Sequence, residues 1–194
     1  AKATLDAGTP LFADPKWHEN ELLRKELQLL TLKPILYVFN VDEQTLADAG
    51  RQDELRKLIA PNQAIFICAK LESELEGLDE SDARELLTSY GVNESGLVQL
   101  IHAAYETLGL QSYLTAGPKE VRAWTIHKGA TAPEAAGVIH TDFERGFIAA
   151  QVINYDDLVA AGSETAVKAA GKVATVGKEY VMQPQDIVEF RFNV

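Results

Sequence analysis

The sequence predicts an α/β chain, half of a doubly wound parallel sheet, followed by a separate α+β unit. Three observations predict it. Two short continuous apolar runs, residues 35–39 and 64–68, are each followed by segments of helical periodicity, the strand–helix–strand–helix order of a βαβ unit. Near Leu110 the pattern changes to short strands around one helix. The charge changes with it: residues 1–110 hold 10 basic and 19 acidic side chains, residues 111–194 hold 8 and 10.

Taken in order, residues 17–30 carry apolar residues at helical spacing (Leu22, Leu23, Leu27, Leu29, Leu30) after the Asp14-Pro15 turn signal, and Thr31-Leu32-Lys33-Pro34 ends that helix. Residues 35–39 are rich in aromatic and branched side chains, which predicts a strand buried on both faces and ending at Asn40. Residues 45–59 read as an amphipathic helix, 64–68 as a second buried strand, and 79–90 and 96–108 as further helices. Beyond Leu110, residues 121–126 alternate as a strand does. Residues 131–148 read as a helix opened by Thr131-Ala132-Pro133-Glu134, with Thr as N-cap and Pro and Glu in the first turn. Residues 151–155, 179–182 and 187–192 read as short strands, with a short helix after Ser163 and a turn at Gln183-Pro184-Gln185-Asp186. Short strands around one helix make an α+β unit of β-grasp type.

The composition excludes several classes. The chain has 194 residues, 46% of them hydrophobic, and one cysteine, Cys68. That length buries a real core, and a single cysteine excludes an internal disulfide and a Cys-rich zinc site, as a reducing cytosol would suggest. No apolar run approaches about 18 residues, so no membrane partner is expected. The net charge is -11, and the acidic first half is a poor nucleic-acid surface by bulk attraction. Any RNA contact is expected from a local patch in the less acidic second half, where Lys119, Arg122, Lys128 and Arg145 could supply a basic face. The chain starts at Ala1 without Met and without a signal-peptide h-region, and is expected to be a fragment or a processed product.

Open α/β sheets bind ligands at the carboxyl ends of their strands. Two such ends occur here, Asn40-Val41-Asp42-Glu43 and Cys68-Ala69-Lys70-Leu71-Glu72. They resemble the fourth and fifth motifs of the P-loop GTPase fold, Asn-Lys-x-Asp and Ser-Ala-Lys, with two changes in the fourth. The GTPase Asp accepts from guanine N1–H and its exocyclic amine. Adenine N1 is itself an acceptor, so that contact disfavours it. Glu43 is longer than Asp and would not sit in the same place, and Val41 replaces the Lys whose stem covers the base. An apolar side chain can still pack on a purine, and the Asn40 amide can tie the two loops together. The departures point from guanine toward adenine.

The Asn-x-x-Glu variant resembles that of the YchF or Obg-like ATPases. So do Leu27-Gln28-Leu29-Leu30-Thr31-Leu32-Lys33-Pro34, Tyr113-Leu114-Thr115-Ala116-Gly117, Glu120-Val121-Arg122-Ala123-Trp124-Thr125-Ile126, Gly129-Ala130-Thr131-Ala132-Pro133 and Ile139-His140-Thr141-Asp142-Phe143-Glu144-Arg145-Gly146-Phe147-Ile148. The resemblance implies the end of a helical insertion domain at 1–32, the C-terminal part of a P-loop NTPase-type nucleotide-binding G domain at 33–110, and a TGS domain at 111–194. It implies ATP, held at its base end by Asn40, Val41, Glu43, Cys68, Ala69 and Lys70, with Mg²⁺ in the intact protein, a cytoplasmic location, and ribosome or RNA as partner through the TGS domain.

No Gly-x-x-x-x-Gly-Lys-Ser/Thr occurs in the sequence, so no loop of this chain wraps phosphates or positions Mg²⁺, and no catalytic residue is assigned. Alone, the chain is expected not to hydrolyse ATP. A half-sheet leaves unpaired strand edges, which predicts self-association through them or a less ordered first half. The alternative function is a non-catalytic TGS module that docks to a ribosomal or protein partner.

The remaining candidates read as structural. His18, His102, His127 and His140 have no metal spacing. His140-Thr141-Asp142 has the look of a relay pair without a nucleophile. Cys68 reads as a packed thiol, Trp124 and Phe147 as core, and Glu72, Glu74 and Glu76 as a solvated run.

Overall fold

The computed structural model describes residues 1–17, 20, 22–60, 62–117 and 120–193. The chain divides into two units, Ala1–Leu108 and Gly109–Val194.

The first unit opens with a short helix α1 (Lys2–Asp6) and turns at Leu11–Ala13, Pro15–Trp17, Leu22–Glu26 and Leu30–Leu32, the third of them π-helical and the rest 3₁₀. The helix expected over 17–30 falls partly outside the described residues, and among those described in that span no regular α-helix forms. Asn20 Oδ1 caps Leu23 N–H at 3.1 Å, but the chain turns into the left-handed region at Gln28, φ 46°. Leu22, Leu27 and Leu30 stay exposed, and an apolar stripe with nothing to pack against does not sustain a helix.

The sheet of this unit has two strands, β1 (Leu36–Asn40) and β2 (Gln63–Ile67), parallel and in register from Leu36 opposite Gln63 to Asn40 opposite Ile67. Between them lie α2 (Glu43–Ala47) and α3 (Ala49–Ile59); after them come α4 (Ala69–Leu75), α5 (Glu80–Ser89) and α6 (Gly96–Thr107). The single helix expected over 45–59 is thus two. Asp48 is extended and its carboxylate accepts from Arg51 N–H, starting α3 afresh. One face of the sheet packs Phe39 and Phe66 as stacked rings 5.2 Å apart into a core with Leu46, Cys68, Leu71 and Leu87. The other face is only partly covered: Val38 remains 43% exposed. The expectation that β1 is buried on both faces therefore fails.

The second unit is one five-stranded mixed sheet in the order β4-β3-β7-β5-β6. Its elements are β3 (Leu110–Ala116), β4 (Val121–His127), α7 (Ala132–Ile139), α8 (Thr141–Arg145), β5 (Phe147–Asn154), α9 (Tyr155–Ala161), α10 (Glu164–Ala169), β6 (Ala174–Val176) and β7 (Asp186–Phe192). β3 and β7 are parallel and the other neighbours antiparallel. α7 begins at the expected capping box, with Thr131 N–H donating to Glu134 Oε2 at 2.7 Å. The helix expected to continue to residue 148 instead stops at Ile139. His140 is extended and its Nδ1 accepts from Asp142 N–H, capping α8, and from Phe147 the chain is strand. Residues 179–182 form no strand; Val181 makes a lone bridge to Thr131.

α7 brings Ala132, Ala135 and Ala136, all at 0% exposure, against Tyr113, Ile126, Phe147 and Met182. Small residues let the helix approach the sheet closely. Tyr113 is fully buried and its hydroxyl donates to Ala135 O at 2.9 Å; burial raises its pKa strongly. Asp186 is buried too, with its Oδ2 accepting from Tyr180 Oη at 3.0 Å and from Gln183 N–H at 2.8 Å, which locks the turn before β7.

Candidate functional site

The parallel pairing of β1 and β2 sends both chain ends out at the same edge. Val41 N–H donates to Ile67 O at 2.8 Å, extending the ladder by one residue. The Asn40 side chain then crosses the gap: its Oδ1 accepts from Ala69 N–H at 3.1 Å. The two segments meet again at the starts of α2 and α4, with Lys70 Nζ donating to Glu43 Oε1 at 2.7 Å and Glu74 standing 3.9 Å from the same ammonium. Asn40, Val41, Glu43, Ala69 and Lys70 are thus brought together, although 29 residues separate Asn40 from Ala69.

The six residues differ in what they expose. Cys68 is 3% exposed and its side chain belongs to the core; only its backbone is left for a ligand. Val41 is half-buried, packed against that core. Asp42 faces inward to its own helix, capping α2 through Thr45 N–H at 2.8 Å, and this hydrogen bond holds its carboxyl below the usual range. The Lys70 pKa is raised, first by the hydrogen bond to Glu43, then by the charges of Glu43 and Glu74. Ala69 also lines an open, mainly apolar groove of about 570 Å³ with Ile67, Glu72, Leu75, Gly96 and Leu97.

Glu72 is not part of a solvated run. Its Oε1 accepts from Gly96 N–H at 2.6 Å and its Oε2 from Leu97 N–H at 3.4 Å, capping α6 together with Ser95. The Glu72 carboxylate thus satisfies two donors that the helix cannot pair itself. Gly96 is required there: a Cβ would stand 2.5 Å from Ile67 Cγ2. The signal for this contact lay 24 residues downstream of Glu72 and was not readable locally.

In the second unit, the Arg122 guanidinium stacks 4.1 Å from the Trp124 ring centre, and Trp124 Nε1 donates to Thr115 Oγ1. Trp124 is partly buried and Phe147 buried, both in the core region. Lys128 and Arg145 are exposed, and Lys128 lines a groove of about 520 Å³ with Leu110, Ile126, His127, Ala130 and Val138. Lys119 and His18 lie outside the described residues. Among the described residues no three His, Cys, Asp or Glu side chains cluster as a metal site would, and no helix is long and apolar enough to cross a membrane.

The model of the family YchF-GTPase_C, described as "Protein of unknown function (DUF933)", matches residues 110–193. The chain is 51% identical over 181 residues to the ribosome-binding ATPase YchF of Bacillus subtilis, covering 91% of this chain and 50% of that protein. It is 39% identical over 197 residues to the rat Obg-like ATPase 1, covering 97% of this chain and 49% of the relative. The chain spans about half the length of the curated relatives it matches. Among solved structures, the YchF GTPase of Schizosaccharomyces pombe superposes with a TM-score of 0.78 at 35% identity, over 96% of this chain and 50% of that one. A GTP binding protein from Pyrococcus horikoshii superposes with a TM-score of 0.58 at 21% identity, over 99% of this chain and 55% of that one, a likeness of fold.

Proposed function

We propose, for a chain that belongs to the YchF and Obg-like ATPase family, that the loops after β1 and β2 are the base-reading end of an adenine-nucleotide pocket. The observation that carries the reading is the Asn40–Ala69 bond, which holds two strand-end loops together where open α/β sheets take ligands. Glu43 in place of a GTPase Asp, and half-buried Val41 in place of Lys, leave the pocket without the guanine-reading carboxylate and with an apolar wall. Asn40, Val41, Glu43, Ala69 and Lys70, with the backbone of Cys68, are its residues. The parent protein then hydrolyses ATP with Mg²⁺ in the cytoplasm, the phosphate-binding loop lying outside this sequence, and this chain alone does not turn over.

The same reading assigns 1–32 to the end of a helical insertion, 33–110 to the C-terminal part of a P-loop NTPase-type G domain and 111–194 to a β-grasp (TGS) domain. The β4-β3-β7-β5-β6 order around α7 supports the last assignment. The TGS domain is the surface for ribosome or RNA, consistent with the ribosome-binding Bacillus relative. Titration calorimetry with ATP and GTP tests the base site: ATP is expected to bind more tightly, and a preference for GTP contradicts it. Co-sedimentation of the chain with ribosomes tests the second unit.

The second reading, a TGS-bearing module that only docks, is favoured by one observation: no phosphate-binding motif occurs in these residues. It predicts ribosome or partner binding that ATP leaves unchanged.

A further inference from the structure

The Glu43–Lys70 pair joins the first turns of α2 and α4, three residues beyond Asn40 and one beyond Ala69. An ammonium carries three N–H donors and no acceptor. Glu43 takes one of Lys70's, and Glu74, at 3.9 Å, is beyond hydrogen-bond distance. Donors therefore remain, on an ammonium whose backbone neighbour, Ala69, is fixed by Asn40. Glu43 is also the more sheltered partner, its side chain 31% exposed against 69% for Lys70.

The chemistry of the two purines makes this arrangement selective. A bare carboxylate at the base edge favours guanine, which donates from N1–H and its exocyclic amine, and opposes adenine, whose N1 accepts. An ammonium held by Glu43 in place of such a carboxylate reverses the sign of the site. It offers a donor to adenine N1 and meets guanine N1–H donor to donor.

The geometry points to Lys70 as the residue that selects adenine, by donating from Nζ to adenine N1, and to Glu43 as a positioning residue that aims the ammonium without touching the base. The inference rests on the base-site reading above and names what that site reads. Because Glu43 and Glu74 both favour its protonated form, Lys70 stays a donor throughout the neutral range.

The test uses nucleosides, which remove phosphate contacts from the comparison. The 194-residue chain is titrated with adenosine, with 1-deazaadenosine, in which N1 is replaced by C–H, and with guanosine, while the backbone amide signals of Val41, Ala69 and Lys70 are followed by NMR. Adenosine is expected to shift them, with 1-deazaadenosine and guanosine binding about three- to tenfold more weakly, the scale of one exposed charge-assisted hydrogen bond. In Lys70→Met, which keeps the stem and loses the donors, adenosine and 1-deazaadenosine should bind equally; Lys70→Arg should keep the discrimination. Lys70 is exposed, and unchanged signals of first-unit core residues away from the site, such as Phe66 and Leu87, verify that the variants fold. Equal binding of adenosine and 1-deazaadenosine to the wild-type chain, with shifts at these amides, overturns the role of Lys70 and leaves the base site standing. No shift at these amides with any of the three nucleosides overturns both.

Discussion

The two units of this chain solve the same problem unequally. Gly109–Val194 builds five strands, seats α7 on them through three alanines with no exposed surface, ties β3 to α7 through the buried Tyr113–Ala135 bond and fixes the turn before β7 through Asp186–Tyr180. Ala1–Leu108 has two strands, each with a single neighbour, and leaves Val38, Leu22, Leu27 and Leu30 exposed. Yet the candidate base site belongs to the less complete unit. Loops at strand ends need only a fixed spacing between two strands to be positioned. That spacing is set by five parallel registered pairs and sealed by Asn40.

The sharpest way to separate the units is to damage one core. Tyr113→Ala should cost about 3–5 kcal/mol, a buried aromatic truncation, and should lower the unfolding midpoint of the second unit in a urea titration followed by residue-resolved NMR. The amides of β1 and β2 should keep their own midpoint; a common shift would mean the two units unfold as one. The converse experiment is Glu72→Ala, which strips two N–H groups at the start of α6 of their acceptor. It should destabilise the first unit alone by about 1–2 kcal/mol, the loss of a helix cap. A similar cost spread over the second unit would break the comparison.

Alkaline titration should act on the second unit. Burial, then the bond to Asp186 and its charge, push the Tyr180 pKa up to about 12, and burial raises that of Tyr113 further. In the unfolded chain both ionise near pH 10. Stability from these groups is therefore fully present below pH 10 and falls as the pH rises from about 10 through 12, because the unfolded state then binds fewer protons. Urea midpoints of the second unit measured at pH 9 and pH 11 should show the drop. The smallest effect concerns the open sheet edges of the first unit. Val38→Lys should weaken any concentration-dependent self-association seen by sedimentation velocity, since a charge beside an open edge discourages pairing; unaltered association would place the contact elsewhere.

Much of the architecture was legible where the signal is local. The runs at 35–39 and 64–68 announce β1 and β2, and Thr131-Ala132-Pro133-Glu134 announces the start of α7. Legibility failed where a neighbour decides. The leucines of 17–30 have helical spacing, but Leu22, Leu27 and Leu30 stay exposed. His140 breaks a helical pattern by capping the next helix with its ring nitrogen. β3 follows α6 almost directly, across Gly109 at φ 63°, and the sequence pattern assigns residues 110–116 no element. In the site, Asn40, Val41 and Glu43 were visible as a spaced motif. The Glu43–Lys70 pair and the Glu72 cap join residues 27 and 24 apart, and no local pattern encodes them.

The most direct measurement is an NMR titration of this chain with ATP and, separately, GTP, mapped on assigned amides. The account predicts that ATP shifts Val41, Ala69 and Lys70 at lower concentration than GTP does, and that Asn40→Ala abolishes the preference. Equal or stronger shifts with GTP, or ATP shifts confined to residues far from β1 and β2, would contradict it.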